Sequence, residues 1–204
     1  MLVQIFPFFS ISDDDIFVDV LVMTKVLKTY FANVKRGMMG YFKPNMTIFR
    51  ENEKAVCGKW CIAWNDYPSY HKYPTFIRGS FYILTSDILD DLYNTAVTIT
   101  YHWVEDAFLT GFVRTRLKDV TFINLAKYYS TKRTKFARQY EKHAEKRQKF
   151  VTWTPPWYSL WEAFLNHLTI EEKNIIGSDQ KFIALKKDLN DMAQEFKEYS
   201  QITN

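Results

Sequence analysis

The hydrophobic pattern at the start of the chain predicts a buried strand, an acidic turn and an amphipathic helix. Residues 5–12 form a nearly continuous apolar run, which is typical of a buried strand. Three consecutive aspartates at 13–15 follow it and form the predicted exit turn. From Val18 to Phe31 apolar residues recur at helical spacing, so we expect a helix whose start is capped by Asp15 or Asp19.

The middle of the chain alternates between short strands and helices. Residues 35–51 predict a turn followed by a short strand, and the Trp-, Tyr- and Pro-rich residues 57–78 predict a packed, ordered loop. Phe81–Leu84 predicts a strand. Thr85–Asp87 then predicts an N-cap cluster for a helix that runs through Leu89, Leu92 and Tyr93.

Two further elements are predicted before the character of the sequence changes. Val97–His102 resembles a short strand, and Glu105 with Asp106 opens a helix that continues through Val113. Beyond residue 130 the pattern is helical: a basic, apolar-poor run at 132–149, then a short apolar helix around 160–168 and a last amphipathic helix over 182–199.

Composition indicates one globular domain with a sizeable core. The chain has 204 residues, of which 47% are hydrophobic and 18% aromatic, and this excludes disorder over most of its length. The formal net charge of +4 is only mildly basic. The basic run at 132–149 is either a surface for nucleic acid or anionic membranes or a solvated helix with internal ion pairs. We favour the solvated helix and therefore expect no nucleic-acid partner.

Two cysteines, Cys57 and Cys61, are too few for a disulfide framework or a four-cysteine zinc site. They form either one bridge or two free thiols. A glycosylation sequon begins at Asn45 and matters only in a lumenal compartment. No stretch is long and apolar enough to predict a transmembrane segment.

Two acidic clusters carry the candidate chemistry. Asp13, Asp14 and Asp15 end a strand, whereas Glu105 and Asp106 begin a helix. Carboxylates at a sheet rim suit a hard divalent cation, and a second carboxylate can take a proton from an attacking hydroxyl. Each cluster alone has a purely structural interpretation, as a solvated turn or as helix-start acids that complement the dipole.

Three segments within residues 8–117 resemble, in order, the motifs of the family 31 glycosyltransferases, which include β1,3-galactosyltransferases, β1,3-N-acetylglucosaminyltransferases and Fringe. The first is the Asp-Asp-Asp string followed by Ile16-Phe17-Val18. The second is Lys59-Trp60, then Tyr67-Pro68, and then the Tyr73–Asp87 stretch around Gly79 and Tyr82. The third is Glu105-Asp106 with Gly111.

This resemblance implies an α/β fold of the GT-A type, with a mixed sheet flanked by helices. It implies an inverting hexosyltransferase that moves galactose or N-acetylglucosamine from a UDP-sugar donor to a glycan or glycoprotein acceptor, with manganese (or magnesium) as cofactor. It also implies a Golgi protein whose relatives are membrane-anchored. On this interpretation residues 1–130 are the catalytic core from the metal motif onward, and 131–204 are a helical, partly basic C-terminal region.

The resemblance also assigns roles to residues. Asp15 becomes the principal metal ligand, with Asp13 or Asp14 supporting the nucleotide side. Asp106 becomes the catalytic base, with Glu105 beside it in the substrate pocket. The remaining substrate-binding positions line the site: Trp60, Tyr73, Gly79 and Ser80.

The chain departs from the family pattern in three places. Only twelve residues precede the aspartate triplet, so an N-terminally truncated enzyme is expected. Ile77-Arg78-Gly79 stands where the family often has Cys-Ser-Gly. Trp153 stands where many members have a metal-binding His, and an indole cannot ligate a metal. The alternative function is therefore an inactive glycosyltransferase remnant that acts as a binding module.

Overall fold

The computed structural model describes residues 2–5, 7–51, 58–130, 147, 149–153 and 174. The chain divides into two compact units. The first comprises Met1–Ile16 and Val26–Tyr129, and the second comprises Phe17–Lys25 and Ser130–Asn204. The predicted boundary between a core at 1–130 and a helical region at 131–204 remains a prediction.

The described strands form two sheets. A five-stranded sheet has the order β1-β2-β5-β4-β6, with antiparallel neighbours except for the parallel pair β4 and β6. A three-stranded sheet has the order β3-β8-β7. The strands are β1 (Leu2–Ile5), β2 (Phe8–Ser12), β3 (Ile16–Val18), β4 (Gly37–Lys43), β5 (Phe76–Thr85), β6 (Thr121–Asn124), β7 (Tyr129–Ser130) and β8 (Val151–Trp153).

Three α-helices accompany the sheets in the described part of the chain. They are α1 (Val20–Tyr30), α2 (Leu89–Ala96) and the short α3 (Glu105–Ala107). The last of these continues as a π-helical turn over Phe108–Val113 and a 3₁₀ turn over Arg114–Arg116. Further 3₁₀ turns lie at Gly58–Trp60, Ser86–Ile88 and Ala126–Tyr128.

The central strand β5 organises the core of the first unit. It pairs with β2 on one side and with β4 on the other, and its last residues are all buried. One apolar cluster joins β5 to α2 and to the π-helical turn, which places helices against this sheet. Its buried members are Met38, Ile77, Tyr82, Leu84, Ile88, Leu92, Phe108 and Val113.

Several predicted elements are confirmed. The buried strand ends at Ser12 as β2, and the aspartate triplet follows it as an exposed turn. Helix α1 lies inside the predicted range, and the Val22 N–H donates to the Asp19 carboxylate, so Asp19 is its N-cap. The predicted strands near 35–51 and 81–84 are β4 and the longer β5.

The predicted strand at Val97–His102 is wrong. The N–H groups of Val97, Thr98 and Ile99 donate back to Tyr93, Thr95 and Ala96, and these bonds form turns at the end of α2. The Thr100 carbonyl accepts a hydrogen bond from the Tyr67 hydroxyl. These backbone groups are therefore committed to local partners rather than to a sheet.

The capping role predicted for the side chains of Thr85–Asp87 is also wrong. The 3₁₀ turn and α2 begin there as expected, but neither start has a side-chain cap hydrogen bond. The Asp87 carboxylate instead accepts from the Arg36 backbone N–H at 3.0 Å and from the Thr85 hydroxyl at 2.5 Å. Those side chains connect the end of β5 to the chain just before β4.

Arg50 stabilises the part of the predicted 57–78 loop that the structure describes, from residue 58 onward. Its guanidinium is buried and donates to four backbone carbonyls of this loop at 2.7–3.0 Å. The four acceptors are Ala63, Asp66, Tyr67 and Tyr70. One cation thus binds all four carbonyls, and two of them, at Ala63 and Tyr67, also accept a backbone N–H.

Cys61 is disulfide-bonded, so the cysteines form a bridge rather than free thiols. Within the described residues, no helix has the length and hydropathy that crossing a membrane requires. The helices predicted at 132–149, 160–168 and 182–199 fall almost wholly outside the described residues and remain predictions.

We predict that Arg50→Met destabilises the chain by roughly 2–4 kcal/mol, because four loop carbonyls would lose a charged donor. Urea denaturation of the full chain measures the free energy of unfolding. Arg116→Met is the control, because Arg116 is exposed, and it should change stability by less than about 0.5 kcal/mol. Equal stability of the two variants would contradict this role for Arg50.

Candidate active site

Asp106 lies where strand β5 meets the start of α3. One carboxylate oxygen accepts the Gly79 N–H from β5 at 2.7 Å, and the other accepts the Ala107 N–H of its own helix at 2.7 Å. Two backbone donors therefore fix the orientation of the side chain. Burial raises the pKa of Asp106, although both backbone hydrogen bonds act in the opposite direction.

Gly79 allows this close approach. A Cβ atom at position 79 would lie 3.0 Å from Asp106 Oδ2 and 3.1 Å from Asp106 Cβ. Any larger residue would push the carboxylate away from the β5 backbone. The glycine is therefore needed for the space that it leaves beside Asp106.

Thr110 holds the same junction from the next helical turn. Its hydroxyl is fully buried, donates to the Asp106 carbonyl at 2.7 Å and accepts the Ile77 N–H at 2.7 Å. Gly111 is buried beside it, where an added Cβ would lie 3.2 Å from Phe76 Cβ. Small residues at these two positions let the helix lie directly on β5.

Glu105 is hydrogen-bonded to Tyr82 of strand β5. The Tyr82 side chain is completely buried in β5, and its hydroxyl donates to Glu105 Oε1. Burial raises the pKa of Glu105, the Tyr82 hydrogen bond lowers it, and the charges of Asp106 and Asp13 raise it again. The net direction is upward, so Glu105 holds its proton more tightly than a solvated glutamate does.

Asp13 connects the triplet to this acidic pair. Its N–H donates to the Ser80 carbonyl at 3.1 Å, which continues the pairing of β2 with β5 past Ser12 and Phe81. Partial burial raises the pKa of Asp13, and so do the charges of Asp15 and Asp14. The charge of Asp13 in turn raises the pKa of both Glu105 and Asp106.

Two cations stand close enough to act on these acids. Burial lowers the pKa of the Arg78 guanidinium, while Tyr41, Asp106 and Asp13 act to raise it. Burial and the charge of Arg78 lower the pKa of Lys43, while the charge of Asp106 acts to raise it. The site therefore combines three carboxyl groups with two basic side chains.

Ser80 and Tyr73 complete the enclosed part of the site. Ser80 is 6% exposed, and its Oγ atom has no hydrogen-bond partner among the described residues. Tyr73 is buried, and its pKa rises to about 12, mainly by burial and next by the charge of Asp106. The charge of Asp106 thus acts on Tyr73, and Ser80 follows Gly79 in β5, while their role in lining a substrate site stays a prediction.

The predicted site residues do not all lie close to Asp106 and Glu105. Gly79 directly contacts Asp106, and the triplet reaches the acidic pair through Asp13, while Asp14 and Asp15 are exposed in the turn. Trp60 is half-exposed and stacks on Trp103. Within the part of the chain that is described, no group of three or more His, Cys, Asp or Glu side chains is placed to hold a metal ion.

The family can now be assigned. A family model described as "Galactosyltransferase" matches residues 2–126, which hold every described residue of this site and more than half of the chain. The chain belongs to the galactosyltransferase family. Its sheet is mixed and its fold is α/β, as the resemblance implied.

Curated relatives agree with this assignment. The chain is 30% identical over 107 residues to "Beta-1,3-galactosyltransferase 5" of Mus musculus, an alignment that covers 52% of the chain and 32% of the relative. It is 28% identical over 98 residues to the protein of the same name from Homo sapiens, over 48% of the chain and 30% of the relative. The chain therefore spans about a third of the length of the curated relatives it matches.

Sequence reasoning assigned no role to several residues of this site. Tyr82 belonged to the matching motif and lay within the strand predicted at Phe81–Leu84, but nothing in the sequence connected its hydroxyl to Glu105. Arg78 was noted only as a departure from the family pattern. Lys43 and Trp103 carried no signal, because their contacts with the site depend on how separate segments pack together.

We predict that Tyr82→Phe raises the pKa of Glu105 further, because the hydroxyl that stabilises the ionised carboxylate is lost. A carbon-13 NMR titration of the glutamate carboxyl groups in the full chain measures this shift. Tyr93→Phe is the control, because Tyr93 is 69% exposed on α2. An unchanged Glu105 titration in Tyr82→Phe would refute the proposed effect of this hydrogen bond.

Proposed function

We propose that this chain carries the catalytic part of an inverting hexosyltransferase of the GT-A type. Its reaction transfers galactose or N-acetylglucosamine from a UDP-sugar to a hydroxyl of a glycan or glycoprotein. The observation that carries the proposal is the Asp106 carboxylate, buried and held by two backbone donors beside Glu105 and Asp13. Membership of the galactosyltransferase family supports this choice of substrate class.

The role of Asp106 follows from its setting. A general base must be ionised at the working pH and must have a fixed direction. The backbone donors at Gly79 and Ala107 supply that direction, and burial brings the carboxyl pKa upward toward the range in which proton acceptance is effective. Asp106 then takes the proton of the acceptor hydroxyl while the hydroxyl oxygen attacks the anomeric carbon of the donor, and the bond from that carbon to UDP breaks so that UDP departs.

The triplet is the proposed cation site. Carboxylates suit manganese or magnesium, and magnesium in particular is often held by only one or two carboxylates together with substrate phosphates. That mode agrees with a site in which the described residues do not gather three ligands. Asp15 and Asp13 would hold the cation, which when bound neutralises charge on the departing diphosphate. Asp14, Lys43 and Arg78 would help to hold the nucleotide.

A lumenal Golgi location belongs to the same proposal. The disulfide at Cys61 supports it, because disulfides persist in oxidising compartments. Asn45, the start of the sequon, is exposed in a turn with φ of 53° and is therefore open to modification there.

Asp106→Asn should lower kcat for sugar transfer by about 100- to 10,000-fold, because the amide cannot accept the proton. Release of UDP from UDP-galactose in the presence of manganese and a glycan acceptor is the measurement. Asp90→Asn is the control, because Asp90 is exposed on α2. If Asp106→Asn keeps the activity of the unmodified chain, Asp106 is not the base.

Calorimetry with UDP tests the cation site independently of turnover. We expect UDP to bind only with manganese present, and Asp15→Ala to weaken that binding at least about tenfold, since an ionic ligand contact of roughly 1.4 kcal/mol or more is lost. Asp90→Ala should bind as the unmodified chain does. If UDP does not bind with manganese, the alternative of a non-catalytic binding module is favoured.

A further inference from the structure

The first unit exposes a stacked pair of indoles. Trp60 and Trp103 lie with ring centroids 5.7 Å apart and planes inclined by 7°. Trp60 is 53% exposed and Trp103 is 39% exposed, whereas most large apolar residues of this unit are buried. Two adjacent half-exposed tryptophans form a small aromatic surface, and aromatic side chains with an apolar face and a polar edge are common where ligands bind.

This pair is held next to the acidic pair by the backbone. The Val104 N–H donates to the buried His102 Nδ1 at 3.1 Å, and the Val104 carbonyl accepts the Phe108 N–H at 2.9 Å. Trp103 is three residues before Asp106, so their Cα atoms are at most about 11 Å apart. The indole pair is therefore fixed within reach of a short oligosaccharide that is bound at Asp106.

The size of the patch indicates a small partner rather than a protein. A fully buried aromatic side chain covers about 150–250 Å². Two half-exposed tryptophans thus offer about 200 Å², far less than the roughly 800 Å² that each partner contributes to a stable protein interface. A sugar ring matches this area, and the C–H groups on one of its faces pack well on an indole.

We propose that the Trp60–Trp103 pair is a platform on which a pyranose ring of the glycan acceptor stacks. This inference rests on the proposed function, because it places the acceptor beside the base Asp106. It adds Trp103 as a substrate-contacting residue and extends the acceptor site beyond the ring that receives the transferred sugar. Trp64 does not belong to the platform, because the Arg50 guanidinium lies 5.1 Å above its ring.

Saturation-transfer NMR on the full chain tests this platform, with methyl β-galactoside and N,N′-diacetylchitobiose as probes and without nucleotide or cation. We expect saturation on the C–H protons of one sugar face for at least one probe. Trp103→Ala should reduce that signal at least fivefold, and Trp103→Phe, which keeps a ring, should restore part of it. Trp64→Ala is the matched control, because Trp64 is 54% exposed, and it should retain the signal.

Several results would overturn the proposal. They are the absence of saturation for both probes, an equal signal in Trp103→Ala, and an equal loss in Trp64→Ala. A dimer in sedimentation that Trp103→Ala converts to a monomer would assign the patch to a second copy instead. Failure of the proposed function and failure of the platform are distinguished, because a wrong base assignment leaves the Trp103-dependent saturation signal of the unmodified chain intact, whereas a wrong platform leaves Asp106-dependent transfer intact.

Discussion

The hydrogen bond from the Gly79 N–H to the Asp106 carboxylate is the contact on which the site depends. It joins the central strand β5 to the start of α3 at 2.7 Å, and the Thr110 hydroxyl connects the same two elements one helical turn later. Because Gly79 has no Cβ, the carboxylate can reach the strand backbone. The position of Glu105, and of Trp103 two residues before it, follows from this junction. The glycine that would otherwise weaken a strand interior is here required by its neighbour.

Electrostatics show why such a junction suits a functional site. Asp13, Glu105 and Asp106 all have raised pKa values, for which burial is the largest cause in each case. A raised carboxyl pKa means that the folded chain binds the proton more tightly than the unfolded chain. The stabilisation from these groups is therefore complete below their ordinary pKa values and is lost as the pH rises through the raised ones. At neutral pH these ionised, partly buried carboxylates destabilise the fold, and carboxyl groups with such raised pKa values cluster at functional sites.

Local patterns predicted local features well. The apolar run before the triplet, the helical spacing after it and the Asp19 cap depend on neighbours in sequence, and all three are confirmed. The acidic start of α3 was also evident, since Glu105 and Asp106 precede a helical apolar pattern. By contrast, Val97–His102 has strand-like residues whose backbone groups are used by turns and by Tyr67. The Trp60–Trp103 stack joins residues far apart in sequence, so no local pattern could reveal it.

Arg78 shows how one departure from a family pattern acquires physical meaning. In the sequence, Ile77-Arg78-Gly79 is only a local difference from the Cys-Ser-Gly that the family often has. In the structure Arg78 is half-buried next to Gly79, and its positive charge lowers the pKa of Asp13 against the effects of burial and of the neighbouring aspartates. A serine at this position would leave Asp13 more strongly protonated. The guanidinium therefore helps to keep the Asp13 carboxylate ionised, which is the form of a carboxyl group that binds a cation.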